Sequence, residues 1–340
     1  MAVRGIVYGL GAMGSIVARL MIEKGVEIVG AVARSPEKVG RDLGEVAGLG
    51  FETGVVVESD ARRALEAGAD IAAVSVASYL SVMFDHFRLC LEHGCNVVTI
   101  EEEAVYPWRT APKPAGELDS IARRNGVTLA ASGAQDVFWM HIVGCLMGAA
   151  HRVDSVSGRC TWNADDYGPE VAAHVHVGDT REEFDRFIEE AGWPDFVVRA
   201  TLEALIAELE LTPAQVTPSV TPVLAQVDRP CRALGRVIPA GRVVGVVDSV
   251  TIATEEGPTF SFEMGGRIYE PGEADLNEWV IRGEPDELRL LNERVPTRLI
   301  TCTTLVNRIP DVINAEPGLV TLDRLGKPRY KHFPLHHYVR

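Results

Sequence analysis

The first 34 residues constrain the fold more than any other part of the chain. Gly5-Ile6-Val7-Tyr8 reads as a strand and runs into the turn Gly9-Leu10-Gly11-Ala12-Met13-Gly14. Ser15 to Lys24 has helical spacing, Gly25 stops that helix, and Glu27-Ile28-Val29-Gly30-Ala31-Val32 is a second apolar run. A lone GxGxxG says little, but here it lies between a strand and a helix inside a βαβ unit. Each glycine then has its own role. Gly9 makes the tight turn, Gly11 lets backbone approach a pyrophosphate, and Gly14 lets helix and strand pack closely. Ala12 and Met13 open the helix, whose unpaired N–H groups and positive dipole end favour an anion. These residues predict a dinucleotide site.

The end of the second strand indicates which dinucleotide. An NAD site places Asp or Glu about 20 residues on, to accept hydrogen bonds from the adenosine ribose. Here Ala33 stands nineteen residues past Gly14, followed by Arg34, Ser35, Pro36, Glu37 and Lys38. No carboxylate repels a 2′-phosphate, Arg34 can make charge-assisted contacts to it, and Ser35 can donate its hydroxyl. Lys38 and Arg41 are further cations in reach. The cofactor expected is NADP(H), with NAD(H) left open.

Strands and helices go on alternating. Gly54 to Val57 reads as a short strand, Asp60 to Ala67 as a helix capped by Asp60, and Ile71 to Val76 as a buried strand. Val76, Ala77 and Ser78, at and beyond that strand end, are expected against the cofactor. Tyr79 to His93 is helical, Asn96 to Thr99 a strand, Gly116 to Asn125 a helix and Val127 to Ala131 a strand. This alternation predicts an α/β, Rossmann-type, doubly wound parallel sheet. The pattern changes near Phe138. A helix to Ala150, a strand from Val153 to Trp162 and helices at 182–190 and 199–210 are followed by strands at 242–252, 260–264 and 267–269. An α+β substrate and dimerisation domain with an antiparallel sheet is expected there, and the helix at 295–307 should return to the cofactor domain. The boundaries expected are 1–135, 136–294 and 295–340.

Composition narrows the class. A chain of 340 residues with 46% hydrophobic content can bury two cores, and a net charge of −15 argues against nucleic acid or an anionic membrane as partner. The six cysteines form no CxxC or zinc-type spacing, and no metal is expected. With no leader or membrane-length apolar run read at the start, a cytoplasmic location is expected.

In an open α/β sheet the ligand crevice lies beyond the carboxyl ends of the strands. The strand Asn96 to Thr99 runs into Glu101-Glu102-Glu103, then Ala104-Val105-Tyr106-Pro107-Trp108. Three adjacent carboxylates are costly in a cleft unless something cationic binds there. A continued extended geometry turns Glu102 opposite to its neighbours, so Glu101 and Glu103 are expected in a solvated loop. His174 and His176, read on a strand, should face opposite ways and make a poor chelate. His332, His336 and His337 read as a tail.

The glycine turn, the run Glu101 to Pro107, and the tail Asn307-Arg308-Ile309-Pro310 with Ala315-Glu316-Pro317-Gly318-Leu319-Val320 together resemble the 2,4-diaminopentanoate dehydrogenases and native amine dehydrogenases. The resemblance covers nearly the whole chain, and the first domain is also similar to dihydrodipicolinate reductase. It implies interconversion of an amine with an aldehyde or ketone plus ammonia, with Glu102 as the essential carboxylate. It also implies a homodimer through the sheet of the second domain. Tyr106, Pro107, Trp139, His141, Tyr167 and His174 are the expected substrate-pocket residues, Tyr167 as a polar lid. No cation for a substrate carboxylate is evident near Glu102, which favours a simple amine over a diamino acid. A diamino-acid dehydrogenase, a dihydrodipicolinate-type imine reductase and a non-enzymatic NADP(H) sensor are the alternatives.

Overall fold

Short apolar runs bounded by glycine or by Asp and Asn caps make strands buried on both faces, and these build the first half of the chain. The computed structural model describes residues 1–194 and 196–340. It divides into two compact units, Met1–His141 with Arg298–Arg340, and Ile142–Thr297.

The first unit begins with β1 (Arg4–Tyr8), α1 (Ala12–Glu23), β2 (Glu27–Val32), α2 (Leu43–Val46), β3 (Val57–Glu58) and α3 (Ala61–Glu66). It continues with β4 (Ile71–Val74), α4 (Leu80–Glu92), β5 (Asn96–Thr99), α5 (Pro112–Asn125) and β6 (Thr128–Ala131). A π-helix, Gln135–His141, follows where the spacing predicts an ordinary helix from Phe138. Its i→i+5 winding brings Asp136 and His141 onto one face, with Nε2 of His141 3.3 Å from Oδ1 of Asp136.

The second unit contains α6 (Ile142–Met147), β7 (Arg152–Asn163), α7 (Pro169–His174), α8 (Arg181–Ala191), α9 (Phe196–Glu208) and β8 (Pro213–Leu224). Then come β9 (Arg229–Cys231), β10 (Arg236–Ile238), β11 (Val243–Thr254), β12 (Thr259–Arg267), β13 (Leu276–Glu284) and β14 (Glu287–Glu293). Six of these strands form one sheet in the order β14-β13-β7-β12-β11-β8. The sheet is mixed rather than antiparallel, because β7 and β12 run parallel, Thr259 opposite Ser155 through Arg267 opposite Asn163. The long connection between them, three helices and several strands, brings the chain back in the same direction.

Strand β8, for which the sequence pattern gives no expectation, contains Pro213, Pro218 and Pro222 and is a twelve-residue strand. It lies at the sheet edge, where a missing N–H costs no ladder bond and discourages further pairing. The predicted strands at 260–264 and 267–269 are corrected to one strand, β12. Gly265 and Gly266 do not interrupt it, because the Trp162 ring covers the sheet there and a Cβ on Gly266 would lie 2.2 Å from that ring.

The chain returns to the first unit through α10 (Thr297–Ile313) and β15 (Gly318–Leu319). Cys302, Leu305, Val306, Ile309 and Val312 of α10 share one buried cluster with Val7, Val17, Ala18 and Met21. The sheet of this unit has the order β3-β2-β1-β4-β5-β6-β15, with all neighbours parallel. Its strand order reverses between β1 and β4, the place where such sheets open a crevice. Among the described residues no helix is long and apolar enough to cross a membrane.

Candidate active site

The glycine turn follows β1 at that switch point. Gly9 has φ +99°, and a Cβ there would lie 2.3 Å from the Ser75 carbonyl oxygen. A Cβ on Gly14 would lie 1.7 Å from the Gly9 carbonyl oxygen, so Gly14 is required for the turn to close. A Cβ on Gly11 would meet nothing within 4 Å, so its exposed backbone borders open space. The N-terminus of α1 at Gly11 has no side-chain cap, and its first turn carries no acid. Free N–H groups on an uncapped helix beside an open glycine fit a dinucleotide pyrophosphate. Ser75, which carries no signal in the sequence, locks the turn: its hydroxyl donates to the Gly9 carbonyl over 3.1 Å. The predicted strand to Val76 ends at Val74, which leaves Val76, Ala77 and Ser78 half-buried in the loop before α4.

Beyond β2 the polar residues divide by partner. Ala33 donates its N–H to the Glu58 carbonyl at 3.0 Å. Ser35 donates to Glu37, Lys38 Nζ donates to the Leu10 carbonyl at 2.8 Å, and Arg41 pairs with Glu45. Arg34 is exposed and, among the described residues, takes part in no hydrogen bond or ion pair. That leaves its guanidinium available for a phosphate.

The three acids after β5 separate by what their oxygens meet. Glu101 is 1% exposed and accepts from the N–H of Glu103 at 3.1 Å and of Ala104 at 2.8 Å, which closes the 3-10 turn Glu103–Val105. Burial pushes its carboxyl well above the ordinary range, the Ala104 N–H opposes this, and the two neighbouring acids add to it. Glu103 accepts from the Leu80 N–H at 2.9 Å, so it caps the start of α4. The expectation of a solvated loop for these two is therefore corrected: both are spent on backbone donors. No sequence signal links Glu103 to Leu80, because only the strand packing brings them together.

Glu102 has helical dihedrals (φ −81°, ψ −31°), so the extended geometry stops at this residue. Its half-buried carboxyl is pushed upward by burial and pulled back by a hydrogen bond from Ser78. Tyr79 lies close enough that burial first, and then the charges of Glu102 and Glu103, raise its phenol. Glu102, Ser78 and Tyr79 thus form a cluster between the β4 and β5 ends, and Tyr79 is a member that sequence reasoning missed.

Tyr106 is half-buried and Pro107 buried in the turn after Glu102. The return segment covers this turn, with Leu322 N–H donating to the Val105 carbonyl and Trp108 Nε1 to Thr321 Oγ1, each over 3.4 Å. Trp139 is buried in the π-helix. His141 is buried against Arg308, whose Nη2 lies 3.1 Å from its Nε2. Burial pushes its pKa down to about 4; Asp136 opposes the shift and Arg308 adds to it. Arg308, 1% exposed, binds Asp136 with Nε–Oδ2 and Nη2–Oδ1 both at 2.7 Å.

In the second unit, Tyr167 packs edge-on to Trp162 with ring centroids 5.3 Å apart. His174 ends α7, and His176 has φ +60°. The strand expected for these two histidines is corrected: both rings lie against Trp193, at 5.7 and 6.2 Å, and His176 Nδ1 pairs with Asp179 at 2.8 Å. Among the described residues no group of three or more His, Cys, Asp or Glu side chains is placed to hold a metal.

The family model of the 2,4-diaminopentanoate dehydrogenase C-terminal domain matches residues 138–332. The chain is 29% identical to 2,4-diaminopentanoate dehydrogenase of Acetoanaerobium sticklandii over 337 residues, covering 96% of this chain and 94% of that one. It is similar to the structure of an amine dehydrogenase from Mycobacterium smegmatis, with TM-score 0.93 and 50% identity over 97% of this chain and 98% of that one. A myo-inositol 2-dehydrogenase from Lactobacillus plantarum shares the fold at TM-score 0.59 and 15% identity, covering 96% and 93% of the two chains. The chain belongs to the 2,4-diaminopentanoate dehydrogenase family and is an oxidoreductase of the amine dehydrogenase type.

Proposed function

We propose that this protein is an NADP(H)-dependent amine dehydrogenase that reductively aminates an aldehyde or ketone with ammonia, and in reverse oxidatively deaminates the amine. The carrying observation is the division of labour in the acidic run: Glu101 and Glu103 hold backbone, and Glu102 stands with Ser78 beside the β4 end. The bound nicotinamide supplies hydride. Glu102, as a carboxylate, takes a proton from ammonium, and the freed ammonia adds to the carbonyl carbon. The protonated Glu102 then returns that proton to the departing hydroxyl, which leaves as water. The carboxylate formed again faces a cationic iminium, which it stabilises through charge. Partial burial raises the basicity of Glu102 toward the working pH.

Gly9, Gly11, Ala12, Met13 and Gly14 would hold the pyrophosphate, and Val76, Ala77 and Ser78 would border the nicotinamide side. Arg34, with Ser35 and Lys38 from the same loop, would meet the 2′-phosphate. Tyr106, Pro107 and Trp139 are proposed as apolar contacts for substrate, which favours a simple amine over a diamino acid. Tyr167 is assigned to substrate by the resemblance alone and His174 as a pocket-lining histidine from the sequence, while His141 lies in the buried Arg308 pair. A homodimer through the second unit's sheet is part of the same reading.

The test is NADPH oxidation with short aldehydes and ketones, with and without ammonium, in the wild type and in Glu102→Ala. Ammonium-dependent oxidation that falls by at least about 100-fold in the variant, with NADPH binding kept, is expected. Near wild-type amination in Glu102→Ala would remove the mechanism. Oxidation that ignores ammonium would instead indicate an imine or carbonyl reductase.

A further inference from the structure

The proposed cofactor site has a second cluster of polar side chains at its other end. Tyr8 is the last residue of β1 and directly precedes Gly9. Its hydroxyl lies 2.7 Å from Nδ1 of His86 on α4, and the two rings meet edge to face at 5.4 Å and 84°. Neither residue carries a signal in the sequence, being 78 positions apart. Tyr8 is 6% exposed and His86 half-buried. Arg34, the cation that follows β2, acts on both through its charge.

We propose that Tyr8, Arg34 and His86 form the subsite for the adenosine ribose end of the dinucleotide, with His86 a specificity-determining residue for a 2′-phosphate over a 2′-hydroxyl. The inference rests on the NADP(H) reading above and deepens it. Three elements converge here, the ends of β1 and β2 and the first half of α4, at the strand-order reversal where the glycine turn lies. Burial, with Cys90 and Asp60 adding to it and Arg34 opposing it, holds the Tyr8 phenol far above its ordinary range, so it stays a neutral O–H donor. In this proposal the phenol O–H donates to Nδ1, which selects the neutral His86 tautomer with its proton on Nε2. The imidazole is thereby pre-oriented, and Nε2–H is left as a second donor on a ring that also feels the charge of Arg34. A phosphate bearing two negative charges calls for such a pairing of a fixed cation with a directed N–H.

Charge state follows from the same neighbours. Burial and then Arg34 depress the His86 pKa, while Asp85 on its own helix raises it; Tyr8 faces it as a neutral group. A 2′-phosphate brought against the ring favours its protonated form, so NADPH binding should draw a proton onto His86 near neutral pH. A 2′-hydroxyl brings no such charge. Binding of NADPH and of NADH thus differs in proton uptake as well as in affinity.

The experiment is calorimetric titration of the full-length protein with NADPH and with NADH, in two buffers of different ionisation enthalpy. Wild type, His86→Ala, His86→Gln, Tyr8→Phe and Arg34→Ala are compared, with circular dichroism confirming that each is folded. His86→Ala should weaken NADPH about tenfold and NADH less than about twofold. The proton uptake with NADPH should disappear in both His86 variants, while His86→Gln, which keeps an N–H donor, recovers part of the affinity. Tyr8→Phe should show a smaller loss in the same direction. Equal weakening of both nucleotides by His86→Ala, or no weakening of either, would overturn this inference. A preference for NADPH that Arg34→Ala abolishes and His86→Ala leaves intact would overturn it while sparing the NADP(H) reading. A wild type that binds NADH as tightly as NADPH would remove that reading itself.

Discussion

Glu101, Glu102 and Glu103 are chemically identical and adjacent, and their roles diverge through the donors around them. Two backbone N–H groups hold Glu101 and one holds Glu103, whereas Ser78 reaches Glu102. The residue type and the place at a strand end were legible in the sequence, and the resemblance singled out Glu102. The structural work of its neighbours was not legible, since a carboxylate that caps a turn and one in solvent look alike as letters. Ser78 gives a direct test. Its hydrogen bond pulls the Glu102 carboxyl down, so Ser78→Ala should let burial raise it further. A base works only above its pKa, and activity falls as pH drops through it. The acid limb of the kcat/KM profile for ammonium should therefore move to higher pH in Ser78→Ala. A shift to lower pH, or an unchanged limb with unchanged rate, would show that Ser78 does not tune Glu102.

The elements show where local pattern sufficed and where neighbours intervened. The β1–turn–α1 unit was readable because every glycine in it answers a steric demand of the unit itself. That demand separates two substitutions. Gly14→Ala puts a methyl group 1.7 Å from the Gly9 carbonyl oxygen, so it should deform the turn, lower the unfolding midpoint and abolish dinucleotide binding. Gly11→Ala places its methyl in open space, so the protein should keep its melting temperature and lose affinity only, by about tenfold or more, because the methyl holds off the pyrophosphate. Fluorescence titration with NADPH beside thermal unfolding checks both. Strand β8 was unreadable for the opposite reason: three prolines disqualify a central strand, and only its edge position makes them harmless. In β12, Gly265-Gly266 looked like a break until the Trp162 ring was placed over it.

At the scale of the molecule, the first unit is closed by chain from both ends of the sequence. Arg308 of α10 binds Asp136 of the π-helix, donates to the Gly326 carbonyl at 2.7 Å, and stands beside Asp311, which Lys331 also contacts at 2.7 Å. Removing one member of such a pair leaves the other charge buried, at a cost of about 3–5 kcal/mol. Arg308→Met should lower stability by about that amount in urea unfolding, and Arg308→Met with Asp136→Leu should recover most of it. A loss under about 1 kcal/mol in the single variant would mean that water reaches Asp136. His141 adds a pH dependence. Its pKa is about 4 in the folded chain against about 6.5 unfolded, so the stabilisation is fully present above 6.5 and is lost as pH falls toward 4. The sequence alone determined the βαβ beginning, the dinucleotide turn, the alternation that demands a parallel sheet and the acidic run at a strand end, because these are periodicities and steric rules acting within a few residues. The tertiary structure alone decided which two of the three glutamates hold backbone N–H groups, which cation after β2 stays unpaired among the described residues, how Asp136 finds Arg308, and that β7 and β12 run parallel. Each of those depends on partners that lie far away in the chain and become neighbours only when the sheets assemble.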